Sequence, residues 1–122
     1  SIGFYNHKRS ILLSKNNDQG IPVIDNEGDN IEEKLSFLSS CEYIVTNTYH
    51  GVYWATLLER KVICVPFKSG LLSFKYAPAY SFNGELNDDL FVNAKKYKSV
   101  LEESRKLNLE FYNYLTSKYD LV

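Results

Sequence analysis

Residues 43–66 read Tyr-Ile-Val-Thr-Asn-Thr-Tyr-His-Gly-Val-Tyr-Trp-Ala-Thr-Leu-Leu-Glu-Arg-Lys-Val-Ile-Cys-Val-Pro. Tyr43–Val45 is wholly apolar, the pattern of a strand covered on both faces. Thr46-Asn47-Thr48 is a polar turn, and the run Tyr49–Leu58 that follows has the length of a helix. Val52, Tyr53, Trp54, Ala55, Leu57 and Leu58 make that run apolar nearly all round, which predicts a buried helix. Val62–Val65 is a second strand, and Pro66 stops it because it has no N–H for a ladder. Strand, turn, helix and strand at this spacing form one βαβ unit, whose two strands run parallel with a right-handed crossover.

The pattern repeats toward the amino terminus. Ile2–Tyr5 predicts a short strand. Ser10 can cap a helix over Ile11–Lys15, which the polar run Asn16-Asn17-Asp18-Gln19-Gly20 would end. Ile21–Ile24 is a second strand, followed by a loop over Asp25–Asp29. Asn30 starts a helix with Glu33 three residues on, an arrangement like a capping box. Ile31, Leu35 and Leu38 fall at i, i+4 and i+7 and predict its inward face. Beyond Pro66 the periodicity lapses, and Phe67–Gly84 reads as an irregular loop with one helical turn. A long helix is then expected over Asn93–Lys118, with Tyr97, Val100, Leu101, Ser104, Leu107, Phe111, Tyr114 and Leu115 inward. Strands alternating with helices predict an α/β fold: a Rossmann-like three-layer domain on a short parallel sheet, plus the long C-terminal helix.

With 122 residues the chain suffices for one domain with a core, residues 1–122, and not for two. A net charge of -1 leaves no electrostatic footprint for nucleic acid. No apolar run reaches bilayer length, and no signal-peptide pattern opens the chain. Cys41 and Cys64 lack metal-site or disulfide-framework spacing and read as buried reduced thiols of a cytoplasmic protein. No metal site and no cofactor are expected. The chain has no methionine and begins at Ser1 directly in strand-like sequence, so it is expected to be a piece of a larger protein.

Open parallel sheets bind ligands at the carboxyl ends of their strands. That rule selects Asn6-His7-Lys8-Arg9, Asp25–Asp29, Asn47–Gly51 and Phe67-Lys68-Ser69. Both histidines fall on this rim, with Lys8, Arg9 and Lys68. Free N–H groups at the start of the 49–58 helix, together with these cations, would suit a phosphate or carboxylate. Thr48 can cap that helix or donate its hydroxyl to a ligand oxygen. Gly51 leaves its first turn bare, so that a ligand or another backbone could approach. Histidines titrate at roughly pH 6.5, so His50 could donate to a phosphate or serve as a general acid. Plainer readings stand beside these: His50 as a packing residue, Thr48 as a simple cap, His7-Lys8-Arg9 as a solvated loop and Lys68 as a solvent lysine. The abundant Tyr and Phe read as core and domain-interface packing.

Val45-Thr46-Asn47-Thr48-Tyr49-His50-Gly51, the apolar helix through Ala55 and Leu58, and Lys61-Val62-Ile63-Cys64-Val65-Pro66 resemble the carboxy-terminal half of the polysaccharide pyruvyl transferase family. Members show a Ser/Thr-x-His-Gly turn, an apolar helix, and a strand ending near a Pro and a Lys; here Thr48 stands where serine is common. The resemblance spans about residues 20–76. It implies one half of a two-domain architecture like that of GT-B glycosyltransferases, and an enzyme of exopolysaccharide biosynthesis at the bacterial cell surface. Such a transferase moves a pyruvyl group from phosphoenolpyruvate to a glycan or glycolipid acceptor. On this resemblance His50 would be catalytic or touch the donor phosphate or carboxylate, with Lys68 in support; Thr48, Asn47, Gly51, His7 and Lys8 complete the expected binding set. The partner would be an amino-terminal domain, the location the cytoplasm or the inner face of its membrane, and the piece by itself would be inactive. Two alternatives remain open: a nucleotide-sugar-binding domain of a GT-B glycosyltransferase, and a non-catalytic α/β assembly module.

Overall fold

The structure, a computed structural model, describes residues 1–6, 21–25, 30–66 and 69–119. The expected helix over Ile11–Lys15 and most of the 25–29 loop lie outside these residues. Among them five strands form one all-parallel sheet: β1 (Ile2–Asn6), β2 (Val23–Asp25), β3 (Tyr43–Thr46), β4 (Lys61–Cys64) and β5 (Ala79–Tyr80). Their spatial order is β2-β1-β3-β4-β5. Helices α1 (Ile31–Ser40) and α2 (Tyr49–Leu57) join β2 to β3 and β3 to β4. Helices α3 (Asp88–Asn93) and α4 (Val100–Tyr119) follow the sheet. This is the Rossmann-like α/β architecture that the alternation of elements predicted.

Strand pleating sends alternate side chains to opposite faces, and each face has its own core. Tyr5, Ile44, Val62 and Cys64 pack with Leu38 of α1 and Val52 and Ala55 of α2. Phe4, Val45 and Ile63 pack on the other face with Ala94, flanked by Leu90 and Phe91 of α3. Helix layers therefore cover both faces of the sheet. Burial of these strands on both sides is why Tyr43–Val45 and Val62–Val65 are unbroken apolar runs rather than alternating ones.

Several local expectations need correction. The second strand is Val23–Asp25 rather than Ile21–Ile24. In α1, Asn30 caps the helix by accepting from the Glu33 amide at 3.0 Å, but Ile31 is exposed and Lys34 joins Leu38 in facing inward. In α2 the buried residues are Gly51, Val52, Ala55 and Thr56, while Tyr49 and Tyr53 form an exposed stripe. The stretch read as a loop over Phe67–Gly84 contains, besides the expected turn (a 3₁₀ turn over Ser69–Leu72), the edge strand β5. The expected long helix is present as α4 but starts only at Val100, after Ser99 adopts a left-handed φ of 66°, and the short helix α3 over Asp88–Asn93 precedes it unforeseen. Tyr97 leaves the helical stripe altogether and donates its hydroxyl to the Ala77 carbonyl at 2.8 Å. Val100 is buried, whereas Leu101, Leu107 and Tyr114 are exposed.

Candidate functional site

Strand order locates the site. From β1 the chain steps outward to β2 on one side, then resumes beyond β1 and advances from β3 through β5 on the other. The direction of winding thus reverses between β1 and β3, and crevices at such a switch point are the usual ligand sites of open α/β sheets. Tyr5 pairs with Thr46, so the strands end together, and the crevice is bounded by Asn6 and by the turn Thr46–Thr48.

That turn is held by two hydroxyls. Thr46 Oγ1 accepts from the Thr48 amide at 3.1 Å, Thr48 Oγ1 accepts from the Gly51 amide at 2.9 Å, and the two oxygens lie 3.0 Å apart. One hydroxyl donates to the other, so one proton of the pair remains for a further acceptor. Thr46 is wholly enclosed and Thr48 is 9% exposed, so Thr48 is the member placed to offer it. The Thr48 carbonyl takes the Val52 amide at 3.2 Å. The amides of Tyr49 and His50 stand ahead of these and have no intrahelical acceptor, as at the start of any helix. They point the positive end of the helix toward the crevice.

Gly51 is buried. A Cβ there would lie 2.3 Å from Thr46 Oγ1, 2.6 Å from Thr48 Oγ1 and 2.9 Å from Tyr5 Cδ1. Its missing side chain makes room for the protein's own hydroxyls and for the Tyr5 ring. Asn47 is buried between the two threonines. His50 is exposed, with its imidazole edge-on to Tyr49 at 5.8 Å and tilted over Trp54 at 5.3 Å. Asn47, Thr48, His50 and Gly51 are therefore gathered at one strand-to-helix junction; His7, Lys8, Arg9 and Lys68 lie outside the described residues.

Sequence reasoning placed Asn6 on the rim without its burial, and missed Tyr5 and the bracing role of Thr46, because strand pairing gives these residues their weight. Asn6 has no exposed surface, and among the described residues neither its Oδ1 nor its Nδ2 has a hydrogen-bond partner. Two residues after Phe4, it keeps to the α3 side of the sheet, level with Asp25 of β2. Tyr5 is enclosed beneath Gly51 and meets Trp54 edge-on at 6.1 Å. Burial, and then the nearby Asp25 carboxylate, push the Tyr5 phenol above its ordinary pKa. Thr46 closes the hydroxyl pair. The sequence signal for Asn6 was its place at the carboxyl end of an apolar strand, which put it on the rim but did not show that it is enclosed. Cys41 and Cys64 are free thiols, and burial pushes Cys64 up to about 12, leaving it an inert proton-bearing group. No cluster of three metal-ligating side chains occurs among the described residues.

Along α2 an aromatic ridge leads away from His50. Tyr49 lies nearly parallel to Tyr53 (6.4 Å, 8°) and stacks on Phe74 (5.1 Å, 26°). Beyond the ridge, α2, residues 73–76 and the first turns of α4 enclose a cavity of about 240 Å³. Lys75 Nζ and the Tyr76 hydroxyl both bind the Glu103 carboxylate on its wall. Lys75 first, and Tyr76 second, hold the Glu103 carboxyl below the usual range. Among known proteins, no family model, no curated protein and no solved structure matches the chain. Among the described residues no helix is long and apolar enough to cross a membrane.

Proposed function

We propose that the domain binds the anionic donor of a pyruvyl transferase-like enzyme at the β1/β3 crevice. The observation that carries the reading is the β3–α2 junction. There the Tyr49 and His50 amides, which have no intrahelical acceptor, the Thr48 hydroxyl and the exposed His50 imidazole stand together at a topological switch point. Such a set supplies donors and positive potential to a phosphate or carboxylate and offers it no competing negative charge from the turn itself. The resemblance of residues 45–51 to the Ser/Thr-x-His-Gly turn supports phosphoenolpyruvate as that donor, delivering its pyruvyl group to a sugar.

In this reading each group has a distinct task. The helix amides and Thr48 hold the phosphate, and they do so without reorganisation because Thr46 already fixes Thr48. The Gly51 amide is taken by the cap, so it plays no direct part. His50, free of hydrogen-bonded partners among the described residues, donates to the phosphate or carries a proton to or from the reacting enol phosphate. As phosphate departs, the charge gathering on its oxygens falls on the helix start, where it is best stabilised.

Calorimetric titration of the chain with phosphoenolpyruvate and, separately, with uridine diphosphate sugars tests the assignment. Saturable binding of phosphoenolpyruvate that weakens at least roughly tenfold in His50→Ala, a loss of about 1.4 kcal/mol, is the expected result. Binding of the nucleotide sugar alone would transfer the site to the glycosyltransferase class. Binding of neither would leave an assembly module.

A further inference from the structure

We infer that Asn6 forms a hydroxyl-binding subsite of the β1/β3 crevice, separate from the anion subsite at the start of α2. The starting point is a break in a pattern. Phe4, Val45 and Ile63 make an apolar layer on the α3 side of the sheet, and Asn6, two residues beyond Phe4, continues that face with a carboxamide. The side chain is wholly enclosed, yet neither Oδ1 nor Nδ2 meets a partner among the described residues. Enclosed polar groups of native proteins are nearly always hydrogen-bonded, so a bound molecule is the partner this one lacks. Its place says where that molecule lies. Tyr5 pairs with Thr46 and Asn6 with Asp25, so Asn6 ends the strand between β2 and β3, at the switch point. One strand spacing, about 4.8 Å, separates it from β3, whose chain runs on into Asn47 and Thr48. A small molecule across the strand ends can therefore span the distance from the helix start to Asn6.

Chemistry then selects the group. The carboxamide offers an acceptor at Oδ1 and two donors at Nδ2. Phosphate or carboxylate oxygens could meet Nδ2 but would leave Oδ1 bare, and the Asp25 carboxylate, level with Asn6 on the next strand, opposes an anion there. An ammonium would meet Oδ1 and leave Nδ2 bare. An alcohol hydroxyl both donates and accepts, and so matches the pair. Phosphoenolpyruvate brings no hydroxyl, so in the transfer reading the group at Asn6 belongs to the second reactant. That placement rests on the donor reading of the turn; the recognition of a hydroxyl does not.

Heteronuclear NMR titration of the 122-residue chain with 2-phosphoglycerate, phosphoenolpyruvate and inorganic phosphate tests the subsite. The first two share a carboxylate and a phosphate on one carbon, and only 2-phosphoglycerate adds a hydroxyl. It should bind about tenfold more tightly than phosphoenolpyruvate, the worth of one well-made hydrogen bond to an otherwise unmet group, and should shift the Asn6 side-chain amide saturably. Asn6→Leu should erase the difference between the two ligands. The Asn6 amide signal of the parent chain keeps the test decisive even if that variant unfolds. Equal affinities with the Asn6 amide unmoved, or a preference that survives Asn6→Leu, would overturn the subsite while shifts at Tyr49 and His50 upheld the anion reading. An Asn6-dependent preference with Tyr49 and His50 unmoved would overturn the anion reading and uphold the subsite. Absence of binding by all three would overturn both.

Discussion

A single methyl group at Gly51 meets three atoms closer than 3 Å, two of them the hydroxyls that hold the turn. Gly51→Ala should therefore cost about 1–3 kcal/mol despite alanine's better helix propensity, as overpacking does. Gly70→Ala, with open space around its Cβ, is the control and should lie within about 0.5 kcal/mol of the parent in the same urea titration. Thr48→Ala should lose about 1 kcal/mol with the cap, whereas Thr48→Ser should keep both stability and anion binding. Equal losses in the two Thr48 variants would mean that the methyl group, and not the hydroxyl, matters there. His50 behaves differently because it is exposed: His50→Ala should leave stability within about 0.5 kcal/mol while removing donor affinity. Residue identities at this junction were legible in the sequence, since a Thr before an apolar helix is a cap signal. The inward direction of Gly51 was not, because it depends on Tyr5, a residue 46 positions away that arrives only by strand pairing.

At the scale of elements, α2 ends with Glu59 at φ 59°, a left-handed conformation unfavourable for a residue with a Cβ. The Arg60 amide reaches back to the Ala55 carbonyl at 2.9 Å and the Glu59 amide to Thr56 at 3.1 Å, the two bonds of a Schellman ending. Glu59→Gly should accordingly raise stability by about 1 kcal/mol in thermal or urea unfolding. A loss would show that the Glu59 side chain contributes more than its backbone strain costs. Elements built on local signals were readable: β3, α2 and β4 have their expected places, and Asn30 caps α1. Those set by distant partners were not. β5 is two residues long and exists because β4 offers an edge, with Ile63 aligned to Ala79 and Cys64 to Tyr80. The apolar residues of 93–118 suggested one helix, but the chain must turn after Ala94 packs under the sheet, and it resumes only at Val100. Leu107 and Tyr114 kept helical spacing without a face of the domain to bury them.

For the molecule as a whole, Cys64 reports the integrity of the core. Its thiol is pushed up to about 12 from an ordinary 9.0 by burial, so the folded state keeps the proton after the unfolded state has lost it. The unfolded state binds fewer protons across that interval, and stability should fall as pH rises from about 9 toward 12. At neutral pH, alkylation of Cys64 by iodoacetamide should track global opening and accelerate with urea. Rapid alkylation without denaturant would contradict its burial. Asn6 supplies the complementary test of function against stability. A carboxamide enclosed without partners among the described residues costs about 1–3 kcal/mol, so Asn6→Leu should leave the free chain as stable or more so, and weaken ligand binding. Marked destabilisation with binding unchanged would show Asn6 to be structural. The sequence by itself determined the βαβ alternation, the capped start of α2 and the histidine beside it, because each is a short-range pattern of polarity and capping chemistry. Only the tertiary structure decided that β1 lies beside β3. Pleating tells which face a residue takes but not which strand is its neighbour, and long-range pairing alone brought Asn6, Tyr5 and the Thr46–His50 turn to one crevice.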